Sequence, residues 1–105
     1  MLVRKIFSKI ERNKLMHVVC INTDVDERVN VCPDDSLLQL AFLPLKEGQT
    51  FKAHKHIDKP VEINGTSESW IVLKGKVRAI LYDLDDNILE EVELSQGDCS
   101  ITICP

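Results

Sequence analysis

The sequence predicts an all-β chain of short strands, a sandwich or small barrel, on three observations. Apolar and polar side chains alternate with a period of two in several segments, most clearly in Ile88–Leu94, as they do where one face of a strand is buried. Turn-forming clusters such as DLDDN (residues 83–87) and SQGD (residues 95–98) punctuate those segments, at the spacing of about 8–12 residues found in sandwiches and barrels. The 105 residues are 44% apolar and 29% charged, enough for one core and too apolar for a disordered chain.

The same composition excludes several classes. A net charge of −4 with a pI near 5.3 argues against a general nucleic-acid partner. No run of about 18 apolar residues offers a membrane span. MLVRKIFSKIERNK at the N-terminus lacks the uninterrupted apolar region of a secretory signal. The four cysteines, Cys20, Cys32, Cys99 and Cys104, form no CxxC pair and fit neither a zinc ribbon nor a dense disulfide framework. They read as reduced thiols of a cytoplasmic protein, with Cys99 and Cys104 in the core.

Taken in order, residues 4–16 carry Ile6, Phe7, Ile10 and Leu15 at spacings compatible with a short amphipathic helix, against which Ser8 and Asn13 count. Met16–Ile21 is rich in β-branched residues and reads as a strand, with His17 a satisfied core histidine. A polar connection with Pro33 and several aspartates follows. Leu37–Leu45 (LLQLAFLPL) reads as a buried strand ending near Pro44. Lys46–Gln49 turns, and Thr50–His56 is the next strand. Residues 57–67 form a loop, hairpin-like at Asn64-Gly65. Glu68–Lys74, Lys76–Asp83, Ile88–Leu94 and Cys99–Cys104 complete the strands, with Val77, Ala79 and Leu81 on one face. The aspartates of residues 83–87 lack the glycine and terminal glutamate of a calcium loop.

His54 and His56 stand two residues apart, so in a strand both imidazoles share a face. That arrangement commonly holds a transition metal. Thr50 and Lys52 fall on the same face.

These residues resemble the first motif of the cupin superfamily: Gly, five residues, HxH, three or four residues, Glu, six residues, Gly. Gly48 precedes His54-Lys55-His56 by five residues, and six separate Glu68 from Gly75. The departure is the gap of eleven residues between His56 and Glu68, which an enlarged hairpin loop would explain. Glu62 is a rival carboxylate that breaks the spacing to Gly75. The resemblance covers about residues 37–105. It implies one cupin-like domain over 1–105, a double-stranded β-helix of jelly-roll type, with residues 1–36 as an N-terminal helix or strand extension. Within the superfamily, Arg28, Asn30 and the long gap resemble the small single-domain metalloproteins found with bacterial surface-polysaccharide genes. A second cupin motif starting at Gly97 would put its histidine about three positions past Pro105. Ile103 stands where that motif has proline, so the resemblance implies a chain cut short of its last strand and fourth ligand.

What the resemblance implies for chemistry is a divalent metal (Fe, Ni, Mn, Zn or Cu) held by His54, His56 and Glu68, with open positions for Lewis-acid chemistry. Thr50 and Gln39 would orient the imidazoles. Lys52 would meet an anionic group and Trp70, alternating with Glu68, would stack on a sugar ring. Two functions follow: a metal-dependent enzyme acting on a small polar substrate such as a sugar, or a non-catalytic binding or assembly module on the same barrel. A homodimer paired through sheet edges is expected in either case.

Overall fold

The computed structural model describes residues 1–63 and 65–103, and among them every regular element is a strand. β1 (Leu2–Phe7), β2 (Leu15–Ile21), β3 (Val29–Asn30), β4 (Ala41–Phe42), β5 (Glu68–Ile71), β6 (Val77–Tyr82), β7 (Ile88–Leu94) and β8 (Cys99–Thr102) follow in order. They form a four-stranded antiparallel sheet, β1-β2-β8-β5, and two hairpin-like pairs, β3-β4 and β6-β7. The all-β expectation holds; the described strands do not close into a barrel.

The four-stranded sheet is the middle layer: β2 carries apolar side chains on both faces, and β8 is covered on both although Ser100 and Thr102 make one of its faces polar. Val18, Cys20, Cys99 and Ile101 point to one side and pack with Val31 and Cys32, flanked by Leu38, Leu40 and Phe42 of the β3-β4 region. Val19, with Ile6 of β1 and Val72 beyond β5, points to the other and packs against Ala79, Leu81, Val92 and Leu94 of the β6-β7 hairpin. Near-continuous apolar runs are what a strand covered on both faces requires. Leu94, Ile101, Val18 and Val19 are all but fully enclosed, each worth about 1.5–3 kcal/mol of burial.

Two buried carboxylates tie the layers together. Asp98 accepts from Asn22 N at 3.0 Å and Ser95 N at 2.8 Å, while Val72 N donates to its backbone carbonyl at 3.0 Å. Gly97 beside it has φ +89° and donates to Val72 O at 2.7 Å. A Cβ there would meet Thr23 Oγ1 at 3.3 Å, so only glycine suits the position. Asp83, at the end of β6, accepts from Lys9 N and Leu84 N, both at 2.8 Å, and pins the β1-β2 connection to the hairpin. Burial pushes its pKa up, but the Ser8 hydroxyl and the N–H groups of Leu84, Lys9 and Ile10 outweigh that and hold it below the ordinary value.

Several expected elements are corrected. Residues 4–16 form no helix: Leu2–Phe7 pairs with Leu15–Ile21, and Ile10 lies exposed in the turn between them. The apolar pattern was too short to separate period 3.6 from period two. Leu37–Leu45 gives only Ala41–Phe42 as strand. Leu38, Leu40 and Phe42 turn inward as in a strand, but Leu37, Leu43 and Leu45 are exposed. Gln39 is drawn into a turn, donating to Pro33 O and Ser36 O, so it does not orient an imidazole. Thr50–His56 is not a strand; all seven residues are exposed. Phe51 and Ala53 alone offer apolar surface there, too little to offset the entropy of ordering the segment. The ladder begun at Glu68 ends at Ile71, where Val72 bonds to the Gly97-Asp98 turn instead. The hairpin reading at Asn64 and the core placement of Cys104 lie outside the described residues.

Candidate functional site

Although Thr50–His56 is not a strand, its two imidazoles remain neighbours. The ring centroids of His54 and His56 are 5.8 Å apart at an interplanar angle of 67°. With metal–nitrogen bonds of about 2.0–2.1 Å each centroid lies roughly 3.2 Å from a shared ion, so centroids about 4.5–6.4 Å apart span its cis to trans positions. The observed separation falls inside that range. Nδ1 of His54 is 3.2 Å from Lys52 O. A carbonyl only accepts, so Nδ1 carries the hydrogen, and in the neutral ring Nε2 is left as the lone-pair nitrogen. A backbone carbonyl on one nitrogen with the other free is the usual preparation of a histidine ligand.

The third expected ligand is elsewhere. Glu68 begins β5 and pairs with Thr102, which in turn pairs with His17. Residues directly opposite share a sheet face, so Glu68, Thr102 and His17 form one row across the sheet. Trp70, Ser100 and Val19 form the next row on the same face. Among the described residues no group of three His, Cys, Asp or Glu side chains is gathered tightly enough to hold a metal ion. The separation of the histidine pair is compatible with two ligands of one ion, and among the described residues no three-ligand set is assembled. Glu62, the rival carboxylate, is exposed and lines a separate groove of about 590 Å³ with Pro33, Leu38 and Ile103. Thr50 and Lys52 are exposed beside the pair.

His17 is 6% exposed and both its nitrogens are used. Nε2 is 2.9 Å from Tyr82 O and Nδ1 is 3.2 Å from Thr102 Oγ1. The carbonyl partner fixes the hydrogen on Nε2, so in the neutral ring Thr102 donates to Nδ1. This histidine is structural, as its place in an apolar strand implied.

Among the described residues the thiols gather no metal-binding group. Cys20 and Cys99 face each other across β2 and β8, and with Cys32 they are free and buried. The Cys99 sulfur beside it and its burial push the Cys20 thiol up, and burial does the same to Cys32. The same contact with Cys20 lowers the Cys99 thiol, and all three sulfurs are enclosed in the core as packing atoms.

No protein-family model, curated protein or solved structure matches the chain. Among the described residues no helix is long and apolar enough to cross a membrane. What sequence reasoning missed is Ser100, the strand pairing that sets it beside Trp70, and the cleft above them. Alternation within CSIT does place Ser100 and Thr102 together, but nothing local links them to residue 70 or 17.

Proposed function

We propose that this is a cupin-like metal-binding protein in which His54 and His56 capture a divalent transition metal and Glu68 completes the site. The observation that carries the reading is the histidine pair: two exposed imidazoles at ligand separation, one with its tautomer set by Lys52 O. The motif spacing from Gly48 to Gly75 supports Glu68 as third ligand, and its exposed place at the start of β5 leaves it accessible. The connection is no obstacle. Eleven residues separate His56 from Glu68 and can span up to about 36–40 Å when extended.

On this reading the metal supplies Lewis acidity towards an oxygen of a small polar molecule, and Trp70 on the Glu68 face contributes an aromatic surface. Either an enzyme of that kind or a binding module fits, and the open coordination positions of a three-ligand site favour the enzyme. Among the described residues the outer edge of β5 has no partner strand, and Trp70 and Ile71 on it are exposed, which supports pairing of two copies into a homodimer.

Elemental analysis of protein purified without a histidine tag tests the metal. The wild-type chain is expected to retain close to one equivalent of a divalent transition metal and His54→Ala/His56→Ala almost none. Equal metal in both would overturn the reading.

A further inference from the structure

We infer that the cleft between β5 and the β6-β7 hairpin is a binding site for a small, neutral, polyhydroxylated ring. This cleft holds about 350 Å³, at the lower end of ordinary ligand sites of about 300–1,000 Å³ and suited to one six-membered ring. Its lining includes Trp70, His17, Ser100, Thr102, Leu81 and Asp86.

Three features define the ligand. Trp70 is 42% exposed although it stands in a paired strand, and it is one wall of the cleft, an aromatic face ready for the apolar face of a ring. Ser100, 1% exposed, lines the deep side of the cleft and offers a hydroxyl that can donate or accept. The third feature is charge. Among the described residues lining the cleft there is no lysine or arginine, while Asp86 stands at its rim and Asp83 near its end.

The polar complement is accordingly rich in acceptors. Thr102 spends its proton on His17 Nδ1 and keeps its lone pairs; Asp86 only accepts; Ser100 can do either. An anionic ligand would meet carboxylates and no cation. A neutral ring carrying several hydroxyl donors matches both the acceptors and the indole. The inference shares with the proposed function the expectation of a small polar ligand and the aromatic surface of Trp70. It needs neither the metal nor the histidine pair, and its test is run without metal.

Trp70 is the single tryptophan of the chain, so its fluorescence reports on this cleft alone. Titrating the metal-free protein, in the presence of a chelator, with glucose, galactose and N-acetylglucosamine should give a saturable change with at least one of them. Glucose 6-phosphate and uridine should give none. Ser100→Ala is expected to weaken binding by about three- to tenfold, the loss of one neutral hydrogen bond. Trp70→Ala, at a half-exposed position that tolerates truncation, should abolish the saturation-transfer NMR signal of the sugar. No saturable response to any neutral sugar would overturn the inference, as would binding unchanged in Trp70→Ala. An equal response to the phosphorylated sugar or to uridine would overturn the ligand class. Equal metal content in the wild-type chain and the histidine variants, with sugar binding intact, would break the proposed function and leave this inference standing.

Discussion

The middle sheet and the segment from Leu43 to Ile63 obey opposite rules. In β2 and β8, side chains on both faces are enclosed, and the backbone is paired on both sides. Across residues 43–63 every residue is exposed, with Ile57 at 91%, yet this segment carries both candidate histidine ligands. The difference separates two tasks. A packed sheet fixes Glu68, Trp70, His17 and Ser100 in two rows to within the stiffness of a ladder. The exposed segment holds its ligands by one local hydrogen bond and is free to adapt to what it binds.

The largest expected effect breaks this comparison if it is false. Ile101→Ala, within the middle sheet, should destabilise by about 2–5 kcal/mol in denaturant unfolding, whereas Ile57→Ala should stay within about 0.5 kcal/mol. Comparable losses at both sites would show that the segment is packed after all. A smaller effect separates two glycine turns. Gly97→Ala forces a side chain into a left-handed conformation, at about 1–2 kcal/mol, and also presses on Thr23 Oγ1. Gly75→Ala, at φ +87° with nothing within 4 Å of the added Cβ, carries the conformational cost alone and should be the milder in thermal melts.

A pH series sharpens the role of the layer ties. The carboxyl of Asp83 is held below its ordinary value in the fold, so its contribution is full above the unfolded pKa of about 3.9 and fades as pH falls through the folded value. The melting temperature of the wild-type chain should therefore exceed that of Asp83→Asn at pH 6, with the gap closing on acidification below about pH 4. A constant gap would remove the charge from the account. Smallest of all, Arg78→Ala breaks an exposed pair with Glu91 (2.7 Å) and should shift stability by no more than about 0.5 kcal/mol.

Much of this organisation was legible from residues alone, unevenly. β6, β7 and β8 were, because their alternation is explicit and their turns carry Asp, Asn and Gly at the required positions. The shared face of Glu68 and Trp70 followed from the same period. The N-terminal hairpin was not, since Ile6, Phe7 and Ile10 fit a helix as well as a strand until pairing with Leu15–Ile21 decides. Nor was the central place of β2, which depends on β8 arriving from about 80 residues away. The histidine pair stayed together for a reason the strand argument did not contain, the short-range fold of Lys52–His56. The cleft was hidden because residues 17, 70 and 100 meet only through the β2-β8-β5 register.

Hydrogen exchange with and without added zinc tests most directly whether the two regions act as one site. The account predicts that zinc slows exchange in residues 50–63 and at the β5 edge together, and that Glu68→Gln removes the effect at β5 while leaving part of it around the histidines. Protection confined to residues 50–63 in the wild-type chain, with β5 unchanged, would contradict the assignment of Glu68 as the third ligand and with it the site that joins sheet and segment.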